Sequence, residues 1–141
     1  MRKSVIAMLS VFALALIAAP VGVHGQTGEE YTAPKAEKTA LLKQEGLAAG
    51  SGLEANAIHF KLPPGFKGGR HYHTGDVFVY VLSGSLTVQT DEGTRTINAG
   101  EVYYEIPGMK MIGENLSADS STELLVIQVG PKGEPIMIKA D

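Results

Sequence analysis

The chain has 141 residues, 44% of them hydrophobic, which is enough for one domain with its own core. Its net charge is −3 at pH 7, and no run of Lys and Arg forms the basic stripe that phosphate backbones require, so we exclude nucleic acid as a partner. Cysteine is absent, which excludes disulfides and a thiol nucleophile.

The N-terminal 25 residues have the pattern of a signal peptide. Arg2 and Lys3 precede an apolar run at residues 5–19, and small residues follow up to Gly25. The run is short for a transmembrane helix, so we expect removal rather than a membrane anchor. The sequence therefore predicts a periplasmic or secreted protein that makes no membrane contact after cleavage.

The rest of the chain divides into a polar lead-in at residues 26–38, predicted to be flexible, and one domain at residues 39–141. Alternation at residues 55–62 places Ile58, Phe60 and Leu62 on one face of a strand, whereas the Gly-rich residues 47–53 predict a loop. The predicted strands are residues 39–44, 55–62, 76–82, 85–90, 94–98, 101–106, 109–115, 122–129 and 136–139. Short strands separated by Gly and Pro turns predict an all-β sandwich or barrel.

The feature most suggestive of chemistry is the pair His71 and His73. Residues two apart in a strand point to the same side, so both imidazoles can reach one metal ion. Imidazole is a good ligand for Zn, Cu, Fe and Ni. The alternative is a pair of exposed histidines, because this spacing is short and common.

Residues 64–84, with the His-x-His pair and the ending Tyr-Val-Leu-Ser-Gly, resemble the first conserved motif of the cupin superfamily. The second motif is matched more weakly, by Gly100, Ile106, Gly108, Met111 and Asn115. The resemblance covers residues 39–138. It implies an all-β, single-domain cupin jelly-roll barrel, also called a double-stranded β-helix, whose interior holds a metal on three His and one Glu.

Only half of that ligand set carries over to this sequence. His71 and His73 match two of the family's three His ligands. The Glu position falls on Val77, and the third His position falls on Met111. This departure argues against the usual iron or manganese dioxygenase chemistry of the family.

Three residues are candidates to complete the site. Glu105 precedes the Pro-Gly turn, as in some small cupins that also resemble this chain in having Val at the usual Glu site; the alternative is a surface charge. Met111 offers a thioether, which favours copper, although methionine also fills barrel interiors. Asp76 adjoins Val77, but strand alternation places it on the opposite face.

Three functions stay open from the sequence. The first is an exported metal-binding cupin with a barrel pocket for a small molecule, using His71, His73, Glu105 and Met111 and a transition metal (Cu, Fe, Mn, Zn or Ni). The second is a cupin-type oxygenase in which the two His and Glu105 form a two-His, one-carboxylate site. The third is a binding barrel that has lost its metal.

We also expect a homodimer through edge strands, because an uncovered sheet edge invites pairing.

Overall fold

A computed structural model of the chain describes Gly28, Glu30 and residues 35–141. The predicted signal peptide at residues 1–25 lies outside these residues, so export and location stay predictions. Within the described residues, no helix is long and apolar enough to cross a membrane.

The described part of the chain consists of ten β-strands and contains no helix. The strands are β1 (Glu37–Leu47), β2 (Gly50–Leu62), β3 (His71–Tyr72), β4 (Asp76–Ser83), β5 (Ser85–Thr90), β6 (Gly93–Asn98), β7 (Val102–Glu105), β8 (Met111–Glu114), β9 (Thr122–Pro131) and β10 (Ile138–Lys139). They form two five-stranded antiparallel sheets, ordered β1-β2-β9-β4-β7 and β10-β3-β8-β5-β6. The all-β prediction is confirmed.

The first hairpin is longer than predicted, and the expectation of a loop at residues 47–53 was wrong. This segment holds the end of β1, a short turn and the start of β2, with Leu47 paired to Gly50. Gly46 has φ of 68° at a shift in register between the two strands. The glycine therefore accommodates a β-bulge within a continuing strand pair rather than ending it.

The hydrophobic core lies between the two sheets. Ile58, Phe60 and Leu62 are buried on the inner face of β2, as their alternation predicted. They belong to one cluster with Leu86 and Val88 of the facing sheet. Each such side chain contributes about 1.5–3 kcal/mol on burial, so packing between the sheets holds this disulfide-free domain together.

Asn115 braces the segment that follows β8. Its side chain is 1% exposed, and its amide nitrogen lies 3.2, 3.0 and 2.8 Å from the backbone oxygens of Leu62, Pro63 and Ser120. Its side-chain oxygen accepts a hydrogen bond from the Ser117 N–H at 3.1 Å. One buried amide thus ties the end of β2 to the loop before β9.

The outer face of the first sheet is strongly apolar. Phe78 in β4 lies opposite Ile127 in β9 and opposite Tyr104 in β7, and the two aromatic rings stack with centroids 5.2 Å apart. Seven large side chains on or beside these three strands are 38–57% exposed, namely Phe78, Tyr80, Leu82, Val102, Tyr104, Ile106 and Ile127. Soluble domains rarely leave so many neighbouring apolar side chains open to water.

Candidate metal and ligand site

A cavity of about 80 Å³ lies between the two sheets. Its lining is Phe60, Leu62, Phe66, Gly68, His71, His73, Val79, Leu86, Glu105, Met111, Gly113, Leu124, Val126, Ile136 and Met137. Two imidazoles and one carboxylate are the ionisable groups among these side chains. A mostly apolar pocket with a few converging polar groups is the usual form of a small-molecule site.

The two histidines enter this cavity from β3 and the residue after it. Their rings lie 5.1 Å apart between centroids and are nearly perpendicular, at 87°. His71 is directly opposite Met111 in β8, while Tyr72 is opposite Ile138 in β10. The structure therefore brings four sequence-predicted residues to one cavity, namely His71, His73, Glu105 and Met111.

Backbone carbonyls orient both imidazoles. The Nδ1 atom of His71 lies 2.9 Å from the Gly69 oxygen, and Nδ1 of His73 lies 2.7 Å from the Ile136 oxygen. A carbonyl oxygen can only accept, so Nδ1 carries the proton in each ring. Nε2 is then the nitrogen that a metal would bind, which is the usual arrangement of metal-binding histidines.

Glu105 ends β7 and is 5% exposed, so it is not a surface charge. It lies directly opposite Val77 of β4. Its Oε2 atom is 3.2 Å from Nε2 of His73. The carboxylate that the family would place at Val77 is thus found on the neighbouring strand, beside one of the two imidazoles.

The pKa values of the two histidines are shifted in opposite directions. Burial lowers the pKa of His71, and the Gly69 carbonyl only partly opposes this. Burial also acts to lower the pKa of His73, but the hydrogen bond and charge of Glu105, helped by the Ile136 carbonyl, raise it overall. Burial therefore favours the neutral form of His71, whereas Glu105 favours the protonated form of His73.

The spacing of His73 and Glu105 can be compared with that of two ligands of one metal ion. Two donor atoms about 2.1 Å from one tetrahedral metal lie about 3.4 Å apart. The 3.2 Å between His73 and Glu105 is close to this distance. Across Gly28, Glu30 and residues 35–141, however, no three His, Asp or Glu side chains are grouped to hold a metal.

Two of the remaining candidates from the sequence have different positions. Met111 is 2% exposed and lines the cavity, which makes its sulfur a candidate donor. Asp76 lies outside the cavity lining, where it accepts a hydrogen bond from the Tyr104 hydroxyl. The expectation that Asp76 is on the opposite face therefore agrees with its position.

Sequence reasoning missed two residues of this region. Met137 lines the cavity next to the Ile136 carbonyl that holds His73. Gln128 is 3% exposed, lies opposite Val77, and its Oε1 atom has no hydrogen-bond partner among the described residues. A polar residue at an inward position of the apolar segment 122–129 was a signal that could have identified Gln128. Met137 gave no such signal.

Two packed antiparallel sheets around an apolar cavity define a β-barrel that binds small molecules. A family model described as the cupin domain matches residues 58–128, half of the chain, and the protein therefore belongs to the cupin family. Cupin domains commonly bind transition metals.

Solved structures show the same fold. A cupin superfamily protein from Desulfitobacterium hafniense matches with a TM-score of 0.57 and 13% identity, over 72% of this chain and 84% of its own. A conserved Klebsiella pneumoniae protein with a double-stranded β-helix domain has a TM-score of 0.58 and 18% identity, over 77% and 86%. A cupin domain from Bordetella pertussis has a TM-score of 0.50 and 25% identity, over 72% and 98%. No curated protein matches the chain.

Proposed function

We propose that this protein is a metal-dependent cupin that binds a small molecule in its barrel cavity. The observation that carries this proposal is the contact between His73 and Glu105 beside His71, in a cavity otherwise lined by apolar side chains. His71 and His73 would hold the metal through Nε2, with Glu105 and Met111 as the completing candidates. A bound metal would supply a Lewis acid with a position open to a ligand.

The lining of the cavity sets the kind of molecule that fits. Its volume of about 80 Å³ is below the roughly 300–1,000 Å³ of pockets for drug-sized ligands, so it suits only a small molecule, and side chains such as Phe60, Leu86 and Val126 would contact an apolar body. The ionisable groups of the lining, His71, His73 and Glu105, favour a single polar head group. We therefore propose a small, largely apolar molecule with one oxygen-containing head group.

The test is metal binding by the full chain. We expect one equivalent of Co²⁺ or Zn²⁺, with an affinity about 100-fold lower in His71→Ala and His73→Ala and about 10-fold lower in Glu105→Gln. His59→Ala is the matched control, because His59 contacts Glu123 outside the cavity lining. If the wild-type chain takes up no stoichiometric metal, the metal-binding proposal is wrong. The remaining hypothesis is then a binding barrel without a metal.

One observation favours an oxygenase as a second candidate. Glu105 is buried beside His73 and His71 lines the same cavity, so a two-His, one-carboxylate site as in the non-haem iron oxygenases would form if His71 moved closer to the His73–Glu105 pair. Under this candidate, Fe²⁺ affinity depends on Glu105, and oxygen consumption with candidate aromatic or enol substrates is lost in Glu105→Gln. Fe²⁺ binding that is unaffected by this substitution would exclude it.

We also propose that the chain forms a homodimer, through the outer face of the first sheet rather than through an edge strand. The seven exposed side chains of that face present roughly 600 Å² of surface, at the upper end for a soluble monomer. A stable interface buries about 800 Å² on each partner. The charged residues Asp76 and Glu123 lie at the rim, as in protein interfaces with an apolar centre.

A further inference from the structure

The histidine strand β3 lies between β8, which begins with Met111, and β10, which Met137 immediately precedes. In the order β10-β3-β8, Met111 of β8 is directly opposite His71. Ile138 of β10 is opposite Tyr72, so Met137 is next in line with His73. One methionine is thus paired with His71, and the other continues the direction of β10 towards His73.

Both thioethers are buried in the wall of the same cavity. Met111 is 2% exposed and Met137 is 8% exposed, and both line the cavity with His71 and His73. Glu105 contacts His73, but together with His71 these residues are not grouped closely enough to hold a metal by themselves in the described residues. The other donor atoms in the cavity wall are the two thioether sulfurs, and soft thioethers select Cu(I).

We infer that the cavity is a Cu(I) site in which His71, His73, Met111 and Met137 are the ligands. This inference rests on the proposed metal-binding function and specifies its metal. Zn²⁺ is bound in proteins by thiolate, imidazole and carboxylate rather than by thioether. The two methionines therefore favour Cu(I) over Zn²⁺, whereas the two histidines can bind either ion.

The competing explanation is that both methionines only fill space, since methionine adapts to irregular gaps in cores. Leucine has nearly the same volume and no donor atom, and such exchanges usually cost less than about 1.5 kcal/mol of stability. Met→Leu substitutions therefore remove the sulfur while keeping the cavity wall. Met109 is partly buried against the core but does not line the cavity, so it supplies a matched control.

The experiment measures Cu(I) affinity of the full chain under anaerobic conditions, by competition with a chromophoric Cu(I) chelator. We expect Met111→Leu and Met137→Leu each to lower the affinity about 10-fold, and the double variant about 100-fold. Met109→Leu should leave it unchanged. Zn²⁺ affinity should stay within about twofold in all four proteins, because thioethers contribute little to zinc binding. X-ray absorption should show copper–sulfur scattering in the wild type and none in the double variant.

The outcomes separate this inference from the function on which it rests. Binding of Co²⁺ or Zn²⁺ with Cu(I) affinity insensitive to both methionines overturns the copper assignment and keeps the metal-binding proposal. An equal loss of Zn²⁺ and Cu(I) affinity in the Met→Leu variants also overturns it, since that pattern means a distorted cavity. A wild-type chain that binds no metal overturns both.

Discussion

Val77 and Glu105 lie directly opposite each other across the β4–β7 strand pair, and both side chains are buried. Directly opposed residues have neighbouring side chains. The carboxylate position of the family therefore falls on an apolar side chain here, while a carboxylate occupies the position facing it.

This relationship predicts that the carboxylate can be exchanged between the two strands. The Val77→Glu, Glu105→Val double variant keeps one buried carboxylate in the cavity, so we expect it to fold and to bind Co²⁺ within about 10-fold of the wild type. Val77→Glu alone places two carboxylates side by side, and we expect it to lose about 3 kcal/mol of unfolding free energy. Urea denaturation measures the free energy of unfolding, and Co²⁺ titration measures the metal affinity.

The exchange has a matched control in Glu105→Val alone, which leaves His73 without its carboxylate. If the double variant binds Co²⁺ no better than this single variant, the two positions are not equivalent. The interpretation of Glu105 as a transferred ligand would then be wrong.

A second prediction concerns acid stability. The pKa of the buried Glu54 is lowered by the Asn56 amide and the Gly133 N–H, with a smaller contribution from Lys43. The carboxylate therefore stabilises the fold fully above the ordinary glutamate value of 4.5, and this contribution is lost as pH falls through the lower folded pKa. We expect Glu54→Gln to cost about 1–3 kcal/mol at pH 7, and this difference to shrink as the pH is lowered to about 3.

Urea denaturation at the two pH values measures this difference. Glu92→Gln, at an exposed position, is the control and should change stability by less than about 0.5 kcal/mol at either pH. A wild-type advantage over Glu54→Gln that persists unchanged at low pH would show that shape rather than charge is responsible.

A third prediction follows from the brace formed by Asn115. Asn115→Ala removes the amide that serves three backbone oxygens, so we expect a loss of about 3 kcal/mol. Asn115→Asp keeps the acceptor for Ser117 but not the donor, and should be about equally harmful. Thermal unfolding checks both variants against Asn98→Ala, at the exposed end of β6. Equal stability of Asn115→Ala and Asn98→Ala would contradict the brace.

A fourth prediction tests the outer face of the first sheet. Phe78→Lys and Tyr104→Lys each place a charge in the centre of this apolar surface, so we expect dimer dissociation constants at least about 100-fold higher than in the wild type. Sedimentation equilibrium measures this directly. Thr94→Lys, at an exposed position of β6 on the other sheet, should leave the dimer intact. A monomeric wild type, or dimers in all three variants, would exclude this interface.

The sequence predicted the fold well, because alternation and turn residues are local signals. The inward positions of β2 and the strand β5 at residues 85–90 follow from them directly. The prediction of a loop at residues 47–53 was wrong. Gly46 permits a β-bulge, and the sequence alone does not distinguish a bulge from the end of a strand. Met137 could not be predicted as a cavity residue from the sequence, because only the pairing of β10 with β3 brings it towards His73.

The carbonyl acceptors of the two imidazoles have an evolutionary consequence. Gly69 and Ile136 hold His71 and His73 through main-chain atoms, which every residue type possesses. Substitutions at positions 69 and 136 that keep the backbone path therefore keep both rings aimed. The residues at positions 77, 105 and 111 can then gain or lose a donor atom one at a time while the imidazole pair is kept. Under the proposed metal-binding function, such a site would pass from one metal to another through intermediates that still fold and still hold the imidazole pair.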